Sequence, residues 1–246
     1  MTTSERKVAL VTGGSRGIGA AIALRLAEEG VDVALTYERS AEAAAEVAGK
    51  IRASGRRALA LQADCADPSA VAGAVERVVA ELGGLDILVN NAGAGLIAPI
   101  GEIGLADVDR VIAVNVRAPF LASQAAAPHL RDGGRIVNVG SCVAERTLFP
   151  GMTLYSMSKT AMVGLTKALS REFGPRGITA NVVHPGSTDT DMNPADGPYA
   201  EANLAPTALS RYAEPSEVAA AVAYLVSDDA RYVTGAALSV DGGFAA

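Results

Sequence analysis

The sequence has no tryptophan, four phenylalanines and six tyrosines. So sparse an aromatic set disfavours an aromatic-packed β-sandwich core. With Ala, Val and Leu dominating, it favours a helix-rich α/β protein. Cysteine is equally scarce: Cys65 and Cys142 lie far apart in no metal-ligand spacing and read as free thiols of a cytoplasmic protein. With His129 and His184 as the two histidines, no histidine-based zinc site is evident. A net charge of −6 without a long basic run argues against sequence-independent nucleic-acid binding. No apolar run reaches membrane-span length. Met1-Thr-Thr-Ser-Glu-Arg-Lys7 lacks the apolar region and cleavage site of a signal peptide.

What is present is enough for a sizeable core: 246 residues, 50% hydrophobic and 20% charged. Short aliphatic runs alternate with longer amphipathic ones. Strands are expected at Lys7–Thr12, Asp32–Tyr37, Ala58–Gln62, Asp86–Asn90, Arg135–Gly140, Ile178–His184 and Ala236–Val240. Helices are expected at Gly17–Glu29, Ala41–Ala53, Ser69–Leu82, Leu105–Leu130, Thr153–Phe173 and Pro215–Ser227. This alternation, with nearly all-apolar strands, predicts a single doubly wound Rossmann-type parallel sheet of about seven strands spanning residues 1–246. The irregular segment 187–212 carries Pro194, Pro198 and Pro206 and reads as a substrate lid.

Thr12-Gly-Gly-Ser-Arg-Gly-Ile-Gly19 joins the first strand to the first helix. Glycines allow close backbone approach, and a helix N-terminus suits a pyrophosphate. The usual G-x-G-x-x-G pattern is not met, because Ile22 stands where its third glycine would be. The same stretch fits G-x-S-x-G with Ser15 as the nucleophile of a serine hydrolase. That alternative lacks a preceding strand for its oxyanion loop and a well-placed downstream histidine.

Tyr155 and Lys159 stand four apart on an expected helix and so share a face. A tyrosine titrates near ~10, and a neighbouring ammonium favours its phenolate. The spacing alone arises often by chance; its company does not. Thr12 to Gly19, Asp64, Asn90-Asn-Ala-Gly93, Asn115, Ser141, Tyr155-x-x-x-Lys159, Pro185-Gly186 and Asp241-Gly-Gly243 occur in order, each on the expected element. On these residues the chain resembles the short-chain dehydrogenase/reductase family over nearly its whole length. Within that family it is most similar to 3-oxoacyl-ACP reductases.

The resemblance implies a catalytic set of Asn115, Ser141, Tyr155 and Lys159. Tyr155 would protonate the substrate oxygen, with Lys159 lowering its pKa, and Ser141 would hold that oxygen. Backbone at Asn115 would hold a water serving Lys159. The implied cofactor set is Gly13, Ser15, Arg16, Gly17, Ile18, Gly19, Tyr37, Arg39, Ser40, Asp64, Cys65, Asn91, Ala92, Gly93, Tyr155, Lys159, Pro185, Gly186, Thr188 and Thr190. Asp64 would bind the adenine amino group. A non-catalytic dinucleotide-binding regulatory protein on the same fold is the competing reading.

The second strand ends in Tyr37 where an NAD-selecting carboxylate is expected. Arg39 and Arg16 suit a 2′-phosphate, so NADP(H) is favoured over NAD(H). Glu38 is the contrary sign: pointing into the pocket, it would repel that phosphate. Leu148, Phe149 and Met152, together with Ser141 and Tyr155, are the candidate substrate contacts, for a ketone, alcohol or acyl thioester. Arg131 and Arg176 fall near where the family places basic residues that dock an acyl carrier protein. The acidic stretch from Asp189 to Asp196 sits awkwardly with an anionic substrate. A homotetramer is the family expectation.

Overall fold

The computed structural model describes residues 6–246. Residues 1–5, part of the N-terminal segment read above for signal-peptide features, lie outside the described residues. Strands β1 (Val8–Val11), β2 (Asp32–Tyr37), β3 (Ala58–Gln62), β4 (Leu85–Asn90), β5 (Leu130–Val139), β6 (Thr179–Pro185) and β7 (Ala237–Val240) form one sheet in the order β3-β2-β1-β4-β5-β6-β7. Every pairing is parallel. The order reverses between β1 and β4, so the crevice at their carboxyl ends is where a doubly wound sheet offers a ligand site.

The helices are α1 (Gly17–Glu28), α2 (Ala41–Ala53), α3 (Pro68–Leu82), α4 (Leu105–Ile112), α5 (Ala118–Ala126), α6 (Thr153–Phe173), α7 (Ala200–Leu204) and α8 (Pro215–Val226). Successive strand residues point to opposite faces. Ala9 and Val11 join Ile22, Leu26, Ile51 and Val222 on the side covered by α1, α2 and α8. Val8 and Leu10 join Val75, Val78, Ala122 and Phe173 on the side covered by α3, α5 and α6. Burial on both faces is why the strands read as unbroken apolar runs. Among the described residues no helix is long and apolar enough to cross a membrane.

Three expectations are corrected. The stretch Leu105–Leu130 is not one α-helix: α4 and α5 flank a π-helical turn at Ala113–Arg117, and Leu130 opens β5. A π turn inserts one extra residue and frequently marks a functional site. Helix α3 starts at Pro68, one residue early, because the Asp67 side chain caps it by accepting the Ser69 N–H at 2.8 Å. The segment 187–212 is not structureless. It contains α7, and Asn193, Asn203 and Tyr212 hydrogen-bond to one another within it.

Candidate active site

The glycine turn is laced to the end of β4. The Thr12 hydroxyl accepts the N–H groups of Asn91 (3.0 Å) and Ala92 (3.1 Å), and Asn91 Nδ2 donates to the carbonyls of Thr12 (2.9 Å) and Gly13 (3.1 Å). Gly13 and Gly17 have φ of +65° and +52°, the left-handed region. At Gly19 a Cβ would overlap the Gly13 carbonyl oxygen and Asn91 Nδ2. Helix α1 has no side-chain cap at Arg16 and no acidic residue in its first turn. Its leading N–H groups therefore face the crevice without a side-chain partner, which suits a pyrophosphate. Ser15 and Ile18 are half-buried in this turn, Ile18 against the core. These features fit a dinucleotide, which supplies hydride chemistry when bound.

At the outer end of the crevice, Tyr37 packs on the core and Ser40 precedes α2. Glu38 is not free. It pairs with Arg39 at 3.0 Å and with Arg110 from α4 at 2.9 Å. Arg110 also reaches Asp64 at 3.2 Å, while the Ala66 N–H donates to the same carboxylate at 2.8 Å. Arg110 escaped the sequence reading, since nothing local ties it to residues on two other strand ends. Its guanidinium is held above the ordinary arginine value: burial opposes the charge, and Glu38 and Asp64 outweigh burial. Beside them, burial first, then the carboxylates of Asp64 and Glu38, push the Cys65 thiol up to about 11. It stays a protonated thiol at neutral pH.

Ser141, Tyr155, Lys159 and Asn115 come together at the carboxyl ends of β4 and β5. Lys159 Nζ donates to the Val139 carbonyl at 3.1 Å and lies 5.8 Å from the Tyr155 ring centroid. A Cβ on Gly93 would lie 3.3 Å from that amine. Asn115, within the π turn, donates to the Ala94 carbonyl (2.9 Å) and the Ser158 hydroxyl (3.0 Å) and accepts the Ala94 N–H (2.8 Å). The observed role of its side chain is thus to clamp the loop after β4 to α6, one residue before Lys159.

The electrostatics correct one expectation. Burial drives Lys159 down to about 8. Tyr155 is not lowered: burial raises it above the ordinary phenol value, and the Ser141 hydroxyl offsets that only in part. Desolvation penalises both charged forms, and here it outweighs any pull the amine exerts on the phenol.

Pro185 ends β6 and Gly186 follows it, where a Cβ would overlap Asp241, which explains glycine there. Thr188 donates to the Gly186 carbonyl at 3.1 Å. Thr190 lies over the glycine turn, its methyl 3.2 Å from where a Gly17 Cβ would stand, and Asp191 pairs with Arg16 at 3.4 Å. The acidity of this stretch is thus partly spent on Arg16 and, through Asp189, on the Ala195 N–H. Phe149 and Met152 pack with Tyr155 against Cys142, Val143 and Phe244, whereas Leu148 is 40% exposed. Phe244 is a further member of this apolar wall that sequence spacing did not signal. Arg131 and Arg176 form no free basic pair. Arg131 holds Asp86 (3.1 Å) and the Gly83 carbonyl (3.0 Å), and Arg176 holds Asp132 and the Ala127 carbonyl, each at 2.9 Å. Neither histidine serves Ser15: His129 meets Glu76 at 3.1 Å, and His184 is buried against Ser141.

A family model described as enoyl-(acyl carrier protein) reductase matches residues 13–245. The cyclic-di-GMP-binding biofilm dispersal mediator protein of Escherichia coli (strain K12) is 44% identical over 240 residues, covering 98% of each chain. The 3-oxoacyl-[acyl-carrier-protein] reductase FabG of Staphylococcus aureus (strain Mu50) is 40% identical over 240 residues, covering 96% of this chain and 97% of its own. A short-chain dehydrogenase from Burkholderia cenocepacia J2315, solved in complex with NADP, superposes with a TM-score of 0.97 at 57% identity over 98% of each chain. The chain belongs to the short-chain dehydrogenase/reductase family, a family of oxidoreductases.

The cradle geometry separates two glycines. Gly19→Ala should cost about 3 kcal/mol of dinucleotide affinity, roughly a hundredfold in Kd, because backbone blocks the new methyl. Gly17→Ala, strained only in φ and against one threonine methyl, should lose about 1 kcal/mol of stability and bind more nearly as wild type. Cofactor titration and thermal melts of both variants check this; wild-type affinity in Gly19→Ala would contradict it.

Proposed function

We propose that the protein is an NADP(H)-dependent oxidoreductase that moves hydride between nicotinamide and a ketone or secondary alcohol, with Tyr155 as general acid and base. The observation that carries this reading is the convergence of Ser141, Tyr155 and Lys159 beside an uncapped, glycine-lined helix N-terminus. In reduction, hydride reaches the carbonyl carbon while Tyr155 gives its hydroxyl proton to the oxygen. The Ser141 hydroxyl donates to that same oxygen and stabilises its developing charge. The Lys159 ammonium stabilises the phenolate left behind, and oxidation runs the same transfers backwards.

NADP(H) is supported by the NADP in the Burkholderia cenocepacia homologue and by the pairing of Glu38 with Arg39 and Arg110. Paired in this way, Glu38 no longer argues against a 2′-phosphate. The wall of Phe149, Met152 and Phe244 beside Tyr155 favours a substrate with an apolar arm, such as a 3-oxoacyl thioester or a similar ketone. With Arg131 and Arg176 spent internally, a free thioester or ketone is better supported than one presented by an acyl carrier protein. Leu105, Phe120 and Met157, exposed on α4, α5 and α6, support a homotetramer. A purely regulatory dinucleotide-binding role would leave the assembled Ser141, Tyr155 and Lys159 set without a purpose.

An activity matrix of NADPH and NADH against β-ketoacyl thioesters and other ketones tests the reading. Tyr155→Phe should lower kcat at least ~100-fold while NADPH binding stays within about twofold; full turnover in that variant would sink the mechanism. Arg110→Gln exposes Glu38 to the phosphate and should raise the Kd for NADPH roughly fivefold, with NADH nearly unaffected. Equal losses for both cofactors would refute that role for the Glu38 pairing.

Lys159 also links stability to pH. Its folded value of about 8 lies below the ordinary 10.5. Between those values the unfolded chain holds the proton and the folded chain does not, so Lys159 makes the protein more stable as pH rises. Wild type should therefore gain on Lys159→Met by roughly 3 kcal/mol between pH 8 and 10.5. The difference between the two proteins, measured by denaturant unfolding, isolates this effect. Cys65 and Cys142, both held at about 11, pull the other way above pH 9 in each protein. A pH-independent difference would mean that Lys159 is not desolvated.

A further inference from the structure

We propose that His184 is a positioning residue for the reaction: its neutral imidazole accepts the Ser141 N–H and thereby fixes the hydroxyl that holds the substrate oxygen. The inference rests on the proposed function and deepens it. His184 lies on β6 with 0% exposure, and its Nδ1 stands 3.1 Å from the Ser141 nitrogen. The ladder between β5 and β6 ends just there. Val139 pairs with Val183, and the Gly140 N–H donates to the Val183 carbonyl at 2.8 Å. The N–H that follows, that of Ser141, donates to the His184 side chain. The imidazole thus ties β6 to the backbone of the residue whose hydroxyl hydrogen-bonds with Tyr155.

Two further observations single this contact out. A Cβ on Gly140 would overlap both Nδ1 and Cε1 of His184, so glycine at 140 is what admits the ring beneath the turn. Among the described residues, the other ring nitrogen, Nε2, is buried without a hydrogen-bond partner. An Nδ1 that accepts requires the proton on Nε2, so the contact with Ser141 leaves a buried N–H that no described residue accepts. Native structures rarely tolerate such a group without a purpose. An aliphatic residue would fill the space without that cost, but it would strand the Ser141 N–H.

The tautomer is protected. Burial lowers the His184 pKa below the ordinary imidazole value, and the amine of Lys159 on α6 acts in the same direction. Glu145, after the Cys142–Ala144 turn, and Asp241, after β7, oppose it without reversing it. Protonation would turn Nδ1 into a donor facing another donor and release the Ser141 backbone.

The test pairs His184→Leu with His184→Asn, whose Oδ1 branches from Cγ as Nδ1 does and offers the same acceptor. His184→Leu should lower kcat roughly tenfold, less than the ~100-fold or more that follows loss of a direct oxyanion donor. KM and the Kd for NADPH should stay within about twofold, and His184→Asn should recover at least half of wild-type kcat. Equal losses in both variants, or an effect confined to KM, would overturn the proposal. Nitrogen-15 spectra of the wild-type imidazoles give a readout that survives misfolding of either variant. With two histidines in the sequence, His129→Gln assigns them. His184 should show a bare Nδ1 and a protonated Nε2 from pH 7 to 9; a protonated Nδ1 would refute the contact. Wild-type turnover in the same assays judges the proposed function separately, and the spectra decide the Ser141 contact even if no ketone is reduced.

Discussion

The carboxamide of Asn115 satisfies the N–H and the carbonyl of Ala94 and still reaches the Ser158 hydroxyl, all within 3.0 Å. Three chain segments distant in sequence, the loop after β4, the π turn and α6, are thereby fixed to one another. Ser158 in turn donates to the Tyr155 carbonyl at 2.7 Å, so the clamp bears on the turn of helix that carries both Tyr155 and Lys159. The extra residue of the π turn sets the direction of this carboxamide, since each helical residue rotates the side chain by about 100°. A buried network of this kind holds its geometry only while every member is satisfied. The position of the Lys159 amine between Val139 and Gly93 follows from it.

That position explains the proton chemistry better than the spacing of tyrosine and lysine does. Burial destabilises the ammonium and the phenolate alike, so it moves Lys159 down to about 8 and Tyr155 up. The amine consequently lies near neutrality, where gaining or losing a proton costs little, which suits a relay. The phenol is held as a protonated acid, the state that the proposed reduction would need. Charges brought into the crevice by bound reactants then act in a medium where they are only weakly screened.

The sheet was legible in the sequence because burial on both faces leaves continuous aliphatic runs, and glycines punctuate the turn before α1. That Asn115, Ser141, Tyr155 and Lys159 would meet was legible through their order on successive elements. The π turn was not, because Ala113-Val-Asn-Val-Arg117 holds no glycine or proline that would mark an interruption in a helix. Arg110 and Phe244 were invisible for another reason: each acts on residues far away in the chain, Arg110 on Glu38 and Asp64, Phe244 on Val143. His184 was read as a strand end, and only the register of β5 against β6 reveals that its ring meets the Ser141 N–H. The expected fall in the Tyr155 pKa failed because helical spacing conveys proximity and says nothing of desolvation.

The adenosine end of the crevice follows the same logic of compensation. Glu38 and Asp64 bring two negative charges, and Arg39 and Arg110 bring two positive ones. Arg16 is paired as well, from the glycine turn to Asp191. An incoming 2′-phosphate would therefore exchange partners with carboxylates already present and would not find free guanidiniums. Such an exchange yields little net energy at a half-exposed site, and salt screens it. Its value lies in discrimination: without a 2′-phosphate the arginines keep their carboxylates and gain nothing from the cofactor. Because Arg16 also pairs with Asp191, that exchange would reach the segment 187–212 as well.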